Sequence, residues 1–213
     1  MQAIERGFLS DNWVAIVFVC SLVLLSLLKL FNAEKMRGYS LSIFNKGFVE
    51  IESQEKIPVF SIFNIGFTAF SFLSISLTIY FFLILYAENI NLSFVEYSKV
   101  SLYVLVYMLG RFFLESFLMR LLEIREVLGY FFLSKRSYLY SISVGLLFLN
   151  VIYFYGFPEK SVLTVGVVIL FGTRLLLILI NNKNLIIKEL FYFILYICAF
   201  EIAPLFILFK LIF

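Results

Sequence analysis

Long apolar runs separated by polar breaks organise the chain, and their lengths predict its elements. A helix needs about 20 mostly apolar residues to cross a bilayer. Residues 12–31, 62–87, 99–119, 138–157, 161–180 and 189–213 each approach or exceed that length. Ser10, Asp11 and Asn12 can cap the first run. No small-x-small site follows it, and Lys29, Lys35 and Arg37 lie on the wrong side for a cleaved leader, so it reads as a retained span. The breaks at Phe157-Pro158-Glu159-Lys160 and Asn181-Asn182-Lys183-Asn184 are short, which makes spans four to six antiparallel neighbours. The pattern predicts an all-α polytopic transmembrane bundle of about six spans, one integral membrane domain over residues 1–213.

Two longer polar connections remain, 32–61 and 120–137. The first holds an Asn45-Lys46-Gly47 turn followed by alternation through Phe48, Val49, Glu50, Ile51 and Glu52, which predicts a small hairpin or an interfacial segment. In the second, Arg120, Glu123 and Glu126 follow a three-residue helical spacing, so it either extends span three or lies along the headgroups. Arg120, Arg125, Lys135 and Arg136 there are either contacts to anionic lipid or simple topological anchors. Lys35, Arg37, Lys46, Lys56, these four residues, Lys183 and Lys188 outnumber the basic residues of the opposite side, Arg6, Lys99, Lys160 and Lys210. The positive-inside rule therefore predicts both termini outside the cytoplasm and the odd-numbered connections within it.

Composition narrows the function classes. With 63% hydrophobic and 15% charged residues, the chain has too little polar surface for a soluble globule, so lipid is its main solvent and first partner. A net charge of +3 gives no reason to invoke nucleic acid. The chain has no histidine, which sets aside His-ligated haem or zinc, Ser-His and Cys-His nucleophiles and imidazole proton relays. Cys20 and Cys198 stand in apolar runs without CxxC spacing and read as small hydrophobes. There is no Gly-rich phosphate loop, and no cofactor or metal site is predicted.

Arg111, Glu115, Arg174 and Glu201 lie inside the apolar runs, where each costs roughly 2.5–3.5 kcal/mol to insert. They are expected to face protein or water and to pair. Counted from the external ends of their spans, Arg111, Arg174 and Glu201 fall near one depth, and Glu115 follows Arg111 by one turn. Two arginines and two glutamates balance, as a closed ion-pair network requires, and the cluster is either such a structural network or a working site for an ion, proton, lipid headgroup or substrate. Pro204 is expected to kink the last span beside Glu201. Gly110, Gly166, Gly172 and Thr173 predict close backbone approaches, and Asn150 and the Ser71, Ser74, Thr78 seam predict polar contacts between helices.

The opening Ile4-Glu5-Arg6-Gly7-Phe8-Leu9-Ser10-Asp11-Asn12-Trp13, the Leu27-Leu28-Lys29-Leu30-Phe31-Asn32 exit from span one and Gly110-Arg111-Phe112-Phe113 in span three resemble a family of uncharacterised multi-span membrane proteins of the Bacteroidetes lineage. The resemblance implies the inner membrane of a Gram-negative cell and carries over no catalytic residue. The leading expectation is a non-enzymatic subunit or assembly factor of a membrane complex, met by a protein partner through the cytoplasmic connections. The alternatives are a small transporter or channel using Arg111, Arg174 and Glu201, or a lipid-modifying enzyme with Glu115 or Glu201 as base.

Overall fold

The structure, a computed structural model, describes residues 12–54, 61–86, 92–121 and 125–181, without the side chains of 46, 53–54, 117–121 and 125–129. Its helices are α1 (Asn12–Phe31), α2 (Ala33–Ser40), α3 (Lys46–Gln54), α4 (Ile62–Tyr86), α5 (Phe94–Leu121), α6 (Arg125–Val151) and α7 (Lys160–Asn181). Among the described residues, four helices are long and apolar enough to cross a membrane: α1, α4, α6 from Tyr130 onward, and α7. These mark the chain as a membrane protein. Apolar backbone away from water must bond to itself, and helix does so within each segment. The hydroxyls on these helices follow suit, Thr68 and Thr78 donating to the carbonyls of Asn64 and Ser74 one turn back at 2.7 and 2.8 Å.

The expected spans at 12–31, 62–87 and 161–180 coincide with α1, α4 and α7 to within a residue. The expected third span falls on α5, a 28-residue helix that carries Glu96, Lys99, Arg111 and Glu115 and is not among the four. The expected last span, 189–213, lies outside the described residues.

Side-chain partners fix how the helices run. Tyr140 meets Thr68 at 2.9 Å and Asn150 meets Thr78 at 2.9 Å, a constant offset of 72 residues, so α4 and α6 are parallel. On the other pairs the numbers run in opposite senses. Ser76 bonds Tyr97 while Tyr80 bonds Ser93, which sets α4 and α5 antiparallel. Leu28 lies against Gly66 while Trp13 meets Tyr80, which does the same for α1 and α4. Leu170 fits over Gly145 and Leu149 over Gly166, a reciprocal close approach that locks α6 against an antiparallel α7. Gly166 thus serves as expected, whereas Gly110 is exposed on α5. Asn150 makes the expected contact between helices, its carboxamide donating to the Ser74 carbonyl at 3.2 Å and to Thr78, whereas the Ser71 and Ser74 hydroxyls of the expected seam have no hydrogen-bond partner among the described residues.

The bundle has two ends. One gathers the last residue of α1, the first residues of α4 and the last of α7; it is the basic end. The other gathers Trp13, Tyr80, Phe94 and Tyr97, with the Trp13 ring 5.0 to 6.0 Å from the other three; it is the aromatic end. Here α6 passes into a π-helical turn, Ile152–Gly156, closed by the Phe157 amide on the Ile152 carbonyl at 2.9 Å, just before Pro158 stops the helix.

Both expected connections are largely helix. Residues 33–40 and 46–54 form α2 and α3, which replaces the hairpin reading of 48–52. Val49 and Glu52, three apart, are both buried, and that spacing puts them on one helical face rather than on the opposite faces of a strand. Residues 125–137 belong to α6, which begins 13 residues before the expected start at Tyr138. Its inward face, Phe131, Ser134, Lys135 and Tyr138, is buried at helical spacing. Ser42 donates to the Ser137 carbonyl at 2.9 Å and Ser141 to the Ser40 carbonyl at 2.6 Å, fastening the short helices to α6.

Candidate functional site

The ionisable residues of the apolar runs form their observed cluster at the basic end. Arg111 and Glu115, one turn apart on α5, pair at 3.1 Å through Nε and Oε1. Lys135 of α6 reaches the same carboxylate oxygen at 3.4 Å, with only 4% of its side chain exposed. Lys135 is therefore turned into the bundle, whereas its two expected roles were a contact to anionic lipid and a topological anchor. The sequence placed it in a loop because its charge reads as solvent-facing, but it shares the buried face of α6.

Register sets the depth of this cluster. Tyr97 lies opposite Ser76 of α4, and Arg111 is 14 positions further along α5, about 21 Å at the helical rise. That brings Arg111 level with Ile62, where α4 begins, and so to the basic end of the bundle. Arg174 on α7 is buried, 6% exposed. It lies one turn beyond Leu170, which faces Gly145, so it sits about 10 Å deeper in the bundle than Arg111. The single depth expected for the arginines becomes two. Glu201 and Pro204 lie outside the described residues, as do the side chains of Arg120 and Arg125. Arg136 is half-buried and close enough to Tyr39 to act on its phenol.

A second polar group, which the sequence reading did not single out, occupies the mouth between α1 and α4. Asn32, in extended backbone after α1, caps α2 by accepting the Lys35 amide at 2.9 Å. The cap starts α2 so that Lys35 and Tyr39, one turn apart, look toward α3. Both donate to Oε1 of Glu52, at 3.0 and 3.1 Å. The Tyr39 ring packs among Phe48, Phe63 and Tyr140, and its phenol is pushed well above the ordinary range, first by burial and then by the Glu52 carboxylate. A cavity of about 290 Å³ opens beside this group, its polar wall made by Asn32, Lys35, Glu52, Ser61 and Asn64. The one sequence signal was Asn64, a carboxamide in the first turn of an apolar run. The Lys35–Glu52 pairing spans 17 residues across a turn whose geometry spacing alone does not give.

Among the described residues no group of three or more acidic or cysteine side chains gathers where a metal ion would be held. The arrangement supplies ion pairing, hydrogen-bond donors and acceptors at the basic end of the bundle, and an apolar exterior. Compared with known families, residues 14–212 match the one described as a domain of unknown function, DUF4271. No curated protein and no solved structure matches the chain.

Proposed function

Because this chain belongs to the DUF4271 family, a domain of unknown function that covers nearly its whole length, we propose a role from its geometry: a non-enzymatic, multi-pass subunit or assembly factor of a membrane complex. The observation that carries the reading is the contrast between the middle and the flanks of the bundle. The central pair α4 and α6 turns its polar groups toward one another. The flanking helices present broad apolar faces, Leu102, Val106, Leu109 and Phe113 on α5 and Val165, Val168, Ile169 and Leu176 on α7. Those faces suit lipid and the apolar flank of another membrane protein.

In this reading α5 is a further crossing. Two parallel spans require the chain between them to return, and α5, about 42 Å long, is long enough for it. With a span over 189–213 the count reaches six, and the positive-inside rule puts the basic end in the cytoplasm, with both termini outside. The resemblance to Bacteroidetes proteins supports the inner membrane of a Gram-negative cell as the location. The helices α2 and α3 then offer a cytoplasmic surface to a protein partner. Gentle extraction of a tagged copy at native expression, with mass analysis of what remains bound, is expected to give a stoichiometric protein partner; recovery solely as a free monomer would contradict the role.

A second reading, a small anion transporter, draws support from Lys135, which adds a buried cation to the Arg111, Glu115 and Arg174 set. It predicts that Arg174→Gln abolishes uptake while the protein still inserts and folds. Unchanged uptake in that variant would remove it.

A further inference from the structure

The cavity at the α1–α4 mouth holds polar groups that the fold itself leaves unused. Asn64 is 6% exposed and lines the cavity. Its backbone is fully engaged: the amide donates to the Ser61 hydroxyl at 3.2 Å, and the carbonyl accepts from Thr68 and Tyr140 at 2.7 and 3.1 Å. Its carboxamide, by contrast, makes no hydrogen bond with any described residue. That carboxamide lines the cavity without a protein partner among the described residues, so an occupant with matching groups can bond to it. Glu52, also nearly buried, receives Lys35 and Tyr39 on Oε1, and among the described residues nothing donates to Oε2. The Ser61 oxygen accepts from the Asn64 amide, so its own O–H is left to donate elsewhere.

The polar wall is thus bipolar. Ser61 and the Asn64 NH2 can donate to an anion beside the Lys35 ammonium, which is already paired with Glu52, while Glu52 Oε2 and the side-chain oxygen of Asn64 can accept from a cation. The opposite wall is Phe31, Ile62 and Phe63. Phe31 and Ile62 are 69% and 74% exposed and continue the apolar surface of α1 and α4 outward. The site stands at the exit of α1 and the entry of α4, at headgroup depth for a bundle whose spans end there. Its volume falls at the small end of ligand sites, about 300 Å³.

The geometry points to a binding site for a phosphoethanolamine headgroup, with the phosphate toward Lys35, Ser61 and Asn64 and the primary ammonium toward Glu52 and Asn64. A purely anionic group would meet the Glu52 carboxylate, and a quaternary ammonium has no N–H to give it. The same chemistry is offered by an aminophospholipid in the bilayer and by free phosphoethanolamine. The adjoining apolar wall favours the lipid.

The test uses the full-length protein in nanodiscs of phosphatidylcholine doped with phosphatidylethanolamine or phosphatidylglycerol, read by native mass spectrometry of lipid retained on the protein. One phosphatidylethanolamine is expected at about tenfold higher occupancy than either other lipid at equal mole fraction. Asn64→Leu and Glu52→Gln should each lower that preference severalfold while helical content by circular dichroism is unchanged. Should a variant fail to fold, the native protein still decides the matter through the mono-, di- and trimethylated headgroup series, along which retention should fall stepwise as N–H donors are lost. Displacement of the lipid by millimolar free phosphoethanolamine would support the headgroup chemistry with a soluble source. Equal retention of all three lipids, a preference for phosphatidylglycerol, or no loss along the methylation series would overturn the assignment.

Discussion

At the aromatic end, the chain is held by rings and by hydrogen bonds between neutral groups: Trp13 meets Tyr80 and Phe94 edge-on and Tyr97 at a tilt, and the Tyr80 hydroxyl accepts from the Ser93 amide at 2.8 Å and donates to the Ser93 carbonyl at 3.0 Å. At the basic end, 3.0 to 3.4 Å contacts join charged groups drawn from α2, α3, α5 and α6, with Tyr39 and the Ser42 and Ser141 hydroxyls fastening the short helices on. Rings lose little when a neighbour shifts, because their contacts are many and weak. A buried ion pair fails all at once when one partner is removed. Sensitivity to single substitutions is therefore greater at the basic end than at the aromatic end.

The largest break in that comparison is Glu115→Leu, which leaves the buried Lys135 and the partly buried Arg111 without the carboxylate they share. It should cost about 3–5 kcal/mol of stability, seen as an early denaturant midpoint in micelles. Trp13→Ala at the other end should cost less, about 2 kcal/mol, because the ring is only partly buried; the usual loss for a fully buried ring is about 3–5 kcal/mol. Trp13 is the one tryptophan in the chain, so its emission reports on the aromatic end alone. In Glu115→Leu that emission should change after, not before, the loss of α2 and α3 from the bundle. Asn150→Leu, which cuts the α4–α6 seam next to the aromatic end, should cost about 1–2 kcal/mol, as polar contacts between membrane helices do, and shift the Trp13 emission while the basic end holds.

The smallest effect is in pH. The Tyr39 proton is held above the ordinary range in the folded protein, whereas the phenol ionises near pH 10 in the unfolded chain. The folded state therefore binds more protons above that pH, and Tyr39 contributes stability that is whole below about pH 10 and declines as pH rises beyond it. Tyr39→Phe should flatten the alkaline limb of a stability-against-pH curve and leave the neutral region with the loss of one hydrogen bond to Glu52, about 1 kcal/mol.

Apolar run length alone placed α1, α4 and α7, because in lipid the backbone has no choice but helix over some 20 residues. Asn150 was legible too, since a lone carboxamide in an apolar run must find a partner on a neighbouring helix. What was not legible is the layer at the basic end. Lys135, Glu50 and Glu52 read as solvated charge, yet Lys135 and Glu52 are buried by contacts to α5 and α2 that are distant in sequence. The depth of Arg111 was misjudged for a related reason: α5 begins at Phe94, and its register against α4 is set by Tyr97 and Ser76, not by where its apolar run starts.

In the proposed topology α4 and α6 run parallel across the membrane with α5 returning between them. Its most direct test is labelling of single-cysteine proteins, with Cys20 and Cys198 first replaced, by an impermeant maleimide on intact spheroplasts. Val95→Cys at the start of α5 and Glu159→Cys before α7 should label together, and Phe44→Cys between α2 and α3 should label only after permeabilisation. Labelling of Val95→Cys in company with Phe44→Cys, rather than with Glu159→Cys, would contradict the account.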